Sequence, residues 1–135
     1  MQGIKEMKQV IIGTYYSGYE QVELVLREGL GAEFYFCPEN KHVARIKVGV
    51  DQYEWWQVIN ALMHEILEFN LARLSGRFYQ TEYVCKDTGA FTFMFGHGTF
   101  TEATARSAEY MADALPELEK EWKKWKKGKK KNKKT

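Results

Sequence analysis

Residues 63–68 read Met63-His64-Glu65-Ile66-Leu67-Glu68. His64, Glu65 and Glu68 form H-E-x-x-E, one residue away from the H-E-x-x-H spacing with which a helix holds zinc. His64 and Glu68, four residues apart, would project from one helical face and could grip a single cation. Glu65 would lie about 100° further round, where a general base reaches a metal-bound water. A catalytic zinc needs a third protein ligand and leaves its fourth position to water. His97 is the best candidate for that third ligand, because Gly96 and Gly98 free the backbone to present its ring. Its place at a helix start disfavours the protonated ring, and the neutral imidazole is the form a metal binds. Glu102, one turn further on, is either a replacement ligand or a hydrogen-bonding support for His97.

A metal held this way would lower the pKa of its bound water toward roughly 7. Glu65 would take the proton and hand it to the leaving group, with an amide or peptide bond as the obvious substrate. Glu68 in place of a second histidine makes the site more anionic and its water less acidic. The competing reading is plainer: His64 is a helix-edge histidine bonded to Glu68 and holds no metal. His42 falls at a turn between predicted strands and reads as a surface residue.

These residues depend on elements that the sequence marks well in places. Asp51-x-x-Glu54 resembles a capping box, and the helix it opens should run to about Leu74, ended by Ser75-Gly76. Trp55, Ile59, Leu62, Ile66 and Phe69 make its main apolar stripe, widened by Trp56, Met63, Leu67 and Leu74. His64 and Glu68 point away from the centre of that stripe. Upstream, Gln9 to Tyr16 reads as a strand. Val22, Leu24 and Leu26 suit a half-buried strand, with a short helix as the alternative. Phe34–Cys37 and Val43–Val50 read as a hairpin around Pro38-Glu39-Asn40-Lys41. Downstream, Phe78–Cys85 and Ala90–Phe95 form a second predicted hairpin. Thr99-x-x-Glu102 is a capping box, so a helix is expected just after His97, kinked or broken at Pro116 and resumed from Glu117 to Lys127. Together these predict an α+β fold, a small antiparallel or mixed sheet of hairpins packed on a long central helix and a C-terminal helix.

At 135 residues and 44% hydrophobic, the chain suits one domain, assigned to residues 1–122. No window approaches the roughly 18 apolar residues of a membrane span, and residues 1–8 lack the core of a signal peptide. The expected compartment is the cytoplasm, where Cys37 and Cys85 would be two reduced thiols rather than a disulfide. Residues 1–122 hold 11 basic and 18 acidic side chains, a net −7, while 123–135 carry nine lysines. That tail is expected to be disordered and to offer at most a weak, salt-dependent contact with nucleic acid. Tyr15, Tyr16, Tyr19, Phe34, Tyr35, Phe36, Phe91, Phe93 and Phe95 lack a basic surface nearby and are assigned to core packing rather than to stacking on bases.

The order strand, hairpin, H-E helix, hairpin, second helix resembles the minimal zincin metallopeptidase core, from about Ala32 to Leu115. The resemblance implies a zinc-dependent peptidase in which His64 is the first ligand and Glu65 the catalytic glutamate. The later ligand is then His97, or Glu102 in a gluzincin arrangement. Glu68 stands where the family has its second histidine, and that departure implies a degenerate site. The chain also looks like small phage and mobile-element proteins that combine an H-E helix with a strand ending Phe91-Thr92-Phe93-Met94-Phe95-Gly96-His97 and a helix closing in Ala114-Leu115-Pro116-Glu117-Leu118. That likeness implies an accessory factor that binds a host protein or nucleic acid without catalysis.

Overall fold

The computed structural model describes residues 8–37, 42–74, 77–79, 91–93 and 95–133. Strands β1 (Gln9–Ser17), β2 (Glu20–Arg27), β3 (Ala32–Phe36) and β4 (Ala44–Gly49) form one sheet in the order β1-β2-β4-β3. The pairs β1–β2 and β3–β4 are antiparallel, whereas β2 and β4 run parallel at the centre. Helix α1 (Trp55–Arg73), a short antiparallel pair β5 (Arg77–Tyr79) and β6 (Phe91–Phe93), and helix α2 (His97–Lys133) complete the chain. The α+β expectation holds, and residues 20–27 form a strand rather than a helix.

Alternation explains the sheet's inner face. Val22, Leu24 and Leu26 of β2 and Ala44, Ile46 and Val48 of β4 point to one side and are completely buried. Against them pack Val58, Leu62, Ile66 and Phe69 of α1 and Tyr110, Ala114 and Leu118 of α2, at helical spacing. Both helices therefore cover the same face, α1 over β4 and β3, and α2 over β1. Two polar anchors fix α2: the Tyr110 hydroxyl donates to the Val22 carbonyl at 3.2 Å, and the Trp122 indole donates to Val50 O at 2.9 Å.

Several boundaries differ from the sequence reading, each for a local reason. The α1 cap is Glu54, whose N–H is bonded by the Gln57 side chain at 2.9 Å. Asp51 is used elsewhere: its carboxylate accepts the Gly29 N–H at 2.8 Å and ties down the β2–β3 loop. Trp56 and Met63 stand exposed instead of widening the apolar stripe. The Thr99–Glu102 capping box does not form, because α2 already begins at His97 and Glu102 pairs with Arg106 at 2.8 Å. Pro116 lies inside α2 without ending it, and the lysine run through residue 133 continues the same helix. Lysine is a good helix former, and Trp122 and Trp125 anchor the turns just before it. Most of the second predicted hairpin, including Cys85, lies outside the described residues.

Glycine shapes the approach of β3 to the sheet. Gly29 and Gly31 adopt φ of 98° and 72°, and a Cβ on Gly49 would meet the Gly29 carbonyl oxygen at 2.3 Å. The loop thus presses against the end of β4, and β3 starts immediately after it.

Candidate functional site

The H-E-x-x-E segment sits in the middle of α1, on the flank next to β3. The His64 Nε2 lies 3.3 Å from Glu68 Oε2, as the i,i+4 spacing requires. His64 is mostly exposed, whereas Glu65 is only 8% exposed. Burial, chiefly, and then the Glu68 carboxylate and more distant Glu33 push the Glu65 carboxyl above its ordinary value; His64 pulls the other way.

His97 does not join them. Helices α1 and α2 pack antiparallel, with Trp55 against Trp122 at one end and Asn70 bonded to Ser107 at the other. His97 is ten residues before Ser107, and His64 is six before Asn70. At about 1.5 Å of rise per residue these offsets add, so the two rings are separated by roughly 24 Å along the helix axes. Glu102 is equally remote, since its helical turn packs on Gly18 in the β1–β2 turn, at the opposite edge of the sheet from β3. Among the described residues no group of three or more His, Cys, Asp or Glu side chains is arranged to hold a metal ion. The described residues therefore supply a pair toward zinc, not the triad expected from His64, Glu68 and His97. The signal that misled is the glycine context of His97, which sets backbone freedom but not which end of α1 the residue reaches.

What the flank of α1 does offer is a trough. One half is lined by Ala32, Glu33, Phe34, Tyr35, Phe36, Glu65 and Glu68, and has a volume of about 440 Å³. The other, of about 420 Å³, runs past Gln52, Trp56, Asn60 and His64. Ala32 and Glu65 line both halves, so Glu65 stands at their junction. Its carboxylate makes no hydrogen bond to another described residue.

The trough's floor is a strand edge. The Gly49 N–H donates to Gly31 O and the Cys37 N–H to Val43 O. In an antiparallel ladder that parity turns the backbone of residues 31, 33, 35 and 37 toward β4. The backbone of Ala32, Phe34 and Phe36 is consequently turned away from β4, and β3 is the last of the described strands on that side of the sheet. Sequence reasoning missed this feature, because strand order is a tertiary property; only the short length of the Phe34–Cys37 run hinted at an edge.

Two smaller corrections concern His42 and the aromatic set. His42 is largely buried, its Nε2 3.8 Å from Glu23 Oε1 and without a hydrogen-bond partner, and is not a surface residue. Tyr15 and Phe34 do pack on the core, but Tyr16, Tyr19, Tyr35 and Phe36 are exposed. Tyr35 has Arg45 and Lys47 at 5.9 and 5.8 Å from its ring, so a basic neighbourhood exists on the outer sheet face. Phe95 stacks on Phe100, with centroids 5.5 Å apart, at the start of α2. The side chains of Phe91 and Phe93 lie outside the described residues. No described helix is long and apolar enough to cross a membrane. No protein-family model, curated protein or solved structure matches the chain.

Proposed function

We propose that this chain is a protein-binding factor on a zincin-like scaffold, which captures a short segment of a partner in the trough between β3 and α1 and works without a catalytic metal. One observation carries the reading: the trough, of about 440 Å³, combines the exposed ring of Phe36 with the carboxylates of Glu33, Glu65 and Glu68. A concave site that offers exposed aromatic surface beside a few polar groups takes up a peptide side chain by side chain, the ring supplying affinity and the carboxylates orientation.

The test immobilises the full chain and passes over it the peptide set Gly-Thr-Val-Thr-Xaa-Thr-Val-Thr-Gly-Ser, with every residue type at Xaa. Peptides retained by the protein should be released by Phe36→Ala, which removes an exposed ring from the trough, while Tyr19→Ala, which removes an exposed ring at the far side of the sheet, keeps them. Retention of no peptide, or equal retention by Phe36→Ala, refutes capture in the trough.

A second reading, a metal-dependent peptidase-like hydrolase, keeps one support: the 3.3 Å His64–Glu68 pair with Glu65 one residue away. It requires a third donor from outside the described residues. Zinc content of the untagged protein decides between the two. Stoichiometric zinc that disappears in His64→Ala establishes the hydrolase reading and removes the metal-free one.

A further inference from the structure

We infer that the end of the molecule where α2 leaves the sheet docks on an anionic lipid surface, independently of the trough. Helix α2 runs in the same direction as β2 and β4. Tyr110 bonds to Val22 near the start of β2, and Trp122 bonds to Val50, just past the end of β4. The ring of Trp122 lies 5.6 Å from that of Trp55 in the first turn of α1, and Lys8 sits 5.2 Å over the ring of Trp125. These contacts hold the root of the last segment against the body. Gly128 still lines a hollow with Gln9 and Glu28, level with the end of β2. Residues 129–133 continue the helix past that level for about 7 Å, at 1.5 Å of rise each. Lys129, Lys130, Lys131 and Lys133 make this tip basic, and no acidic residue follows Glu121.

Exposed apolar side chains stand at the same end. The β2–β3 loop holds Leu30, 63% exposed, and the β4–α1 loop holds Tyr53, 86% exposed. Trp56, also exposed, follows in the first turn of α1. The Gln52 side chain ties the two loops together by donating to the Gly31 and Gly49 carbonyls, both at 3.2 Å. Large apolar groups gathered beside a run of lysines mark an interaction surface. Their types select the partner. Leucine, tyrosine and tryptophan enter the boundary between headgroups and acyl chains, and a neighbouring cluster of lysines is drawn to anionic headgroups. A leucine gains nothing on a sugar–phosphate backbone, and the tail holds no arginine, whose paired donors suit phosphate recognition. The headgroup layer is roughly 6 Å deep on each side of a bilayer, close to the height by which the lysine tip stands clear, so tip and loops reach it together. Residues 1–122 are net negative, so an anionic surface attracts this end, repels the rest and fixes the orientation. Contact of this kind needs no membrane-spanning helix.

The experiment sediments the full chain with sucrose-loaded vesicles of phosphatidylcholine, alone or mixed with phosphatidylserine. The serine-lipid vesicles should bind at least tenfold more strongly. Lys129→Gln, Lys130→Gln, Lys131→Gln and Lys133→Gln together, which keep helix propensity, should lower that binding at least tenfold. Leu30→Ser with Tyr53→Ser, both at exposed positions, should lower it about fivefold, and circular dichroism checks that each variant is folded. Equal sedimentation with the two vesicle types, or with neither, overturns the inference. Vesicle binding unchanged by the Leu30 and Tyr53 substitutions overturns the docking face. A DNA duplex and a single-stranded RNA form the competing arm. Binding to either that is lost in the lysine variant and kept in the Leu30/Tyr53 variant, with vesicles left unbound, assigns the tip to nucleic acid and overturns the lipid reading.

Discussion

Helix α1 buries two polar side chains five residues apart, and they are treated in opposite ways. Asn70, 1% exposed, faces α2 and the end of β1. Its Oδ1 accepts the Ser17 hydroxyl at 3.0 Å, and its Nδ2 donates to Ser107 Oγ at 3.0 Å. Ser107 passes the chain on to the Ala103 carbonyl at 2.7 Å. Glu65, 8% exposed, faces β3 with no donor to meet it among the described residues. The first arrangement compensates the burial of each polar atom and fixes how α1, α2 and β1 fit together. The second leaves a largely buried side chain whose carboxylate opens onto the trough, and burial makes its charge costly, which is why its pKa is raised.

The contrast breaks most visibly at the satisfied site. Asn70→Ala leaves the Ser17 and Ser107 hydroxyls facing a void between two helices and a strand. The expected loss is about 2–3 kcal/mol, the cost of orphaning buried hydrogen-bonding groups together with a small cavity. Urea unfolding followed by circular dichroism measures it, with the slope unchanged and the midpoint lowered. A loss below about 0.5 kcal/mol would mean that the network is incidental to the packing.

The unsatisfied site should respond in the other direction. Because the folded-state pKa of Glu65 is raised above the ordinary 4.5, the folded protein binds more protons than the unfolded chain between those two values. Stability from this group is then greatest at acid pH and declines as pH rises through the folded-state pKa. Glu65→Gln removes the decline. The variant should melt a few degrees above the parent at pH 8 and show no advantage at pH 4. Thermal melts across that range are the check. A variant that is destabilised at both pH values would show that the carboxylate is satisfied by a donor, and the contrast with Asn70 would collapse.

The two sites also differ in how far the sequence reveals them. The His64–Glu68 contact follows from helical spacing alone, so an H-E-x-x-E pattern in a long apolar-striped segment suffices to foresee it. The α+β class, the β3–β4 hairpin and the end of α1 are legible for the same reason, since turn chemistry and periodicity are local. The parallel pairing of β2 with β4 is not, and it places β3 last among the described strands of the sheet, beside α1. The position of His97 depends on the antiparallel packing of two helices joined by a long connection, which no local pattern encodes. Glu65 read as a general base because of its neighbours in sequence; its burial comes from β3, about thirty residues away.

The smallest expected effect separates geometry from energy within the motif itself. His64 and Glu68 are in contact, but the imidazole is 68% exposed, and a solvent-facing ion pair contributes at most a few tenths of a kcal/mol. His64→Ala should therefore leave the urea midpoint almost unchanged at pH 7. Any difference should stay within about 0.5 kcal/mol and shrink as salt screens it. Added zinc supplies the sharper arm of the same measurement. A metal bound only by the folded protein raises its stability with the logarithm of metal concentration. A zinc-dependent stabilisation seen in the parent and absent in His64→Ala would show that the pair holds an ion after all, with its third donor outside the described residues. Identical midpoints with and without zinc would leave His64 and Glu68 as the wall of a peptide trough.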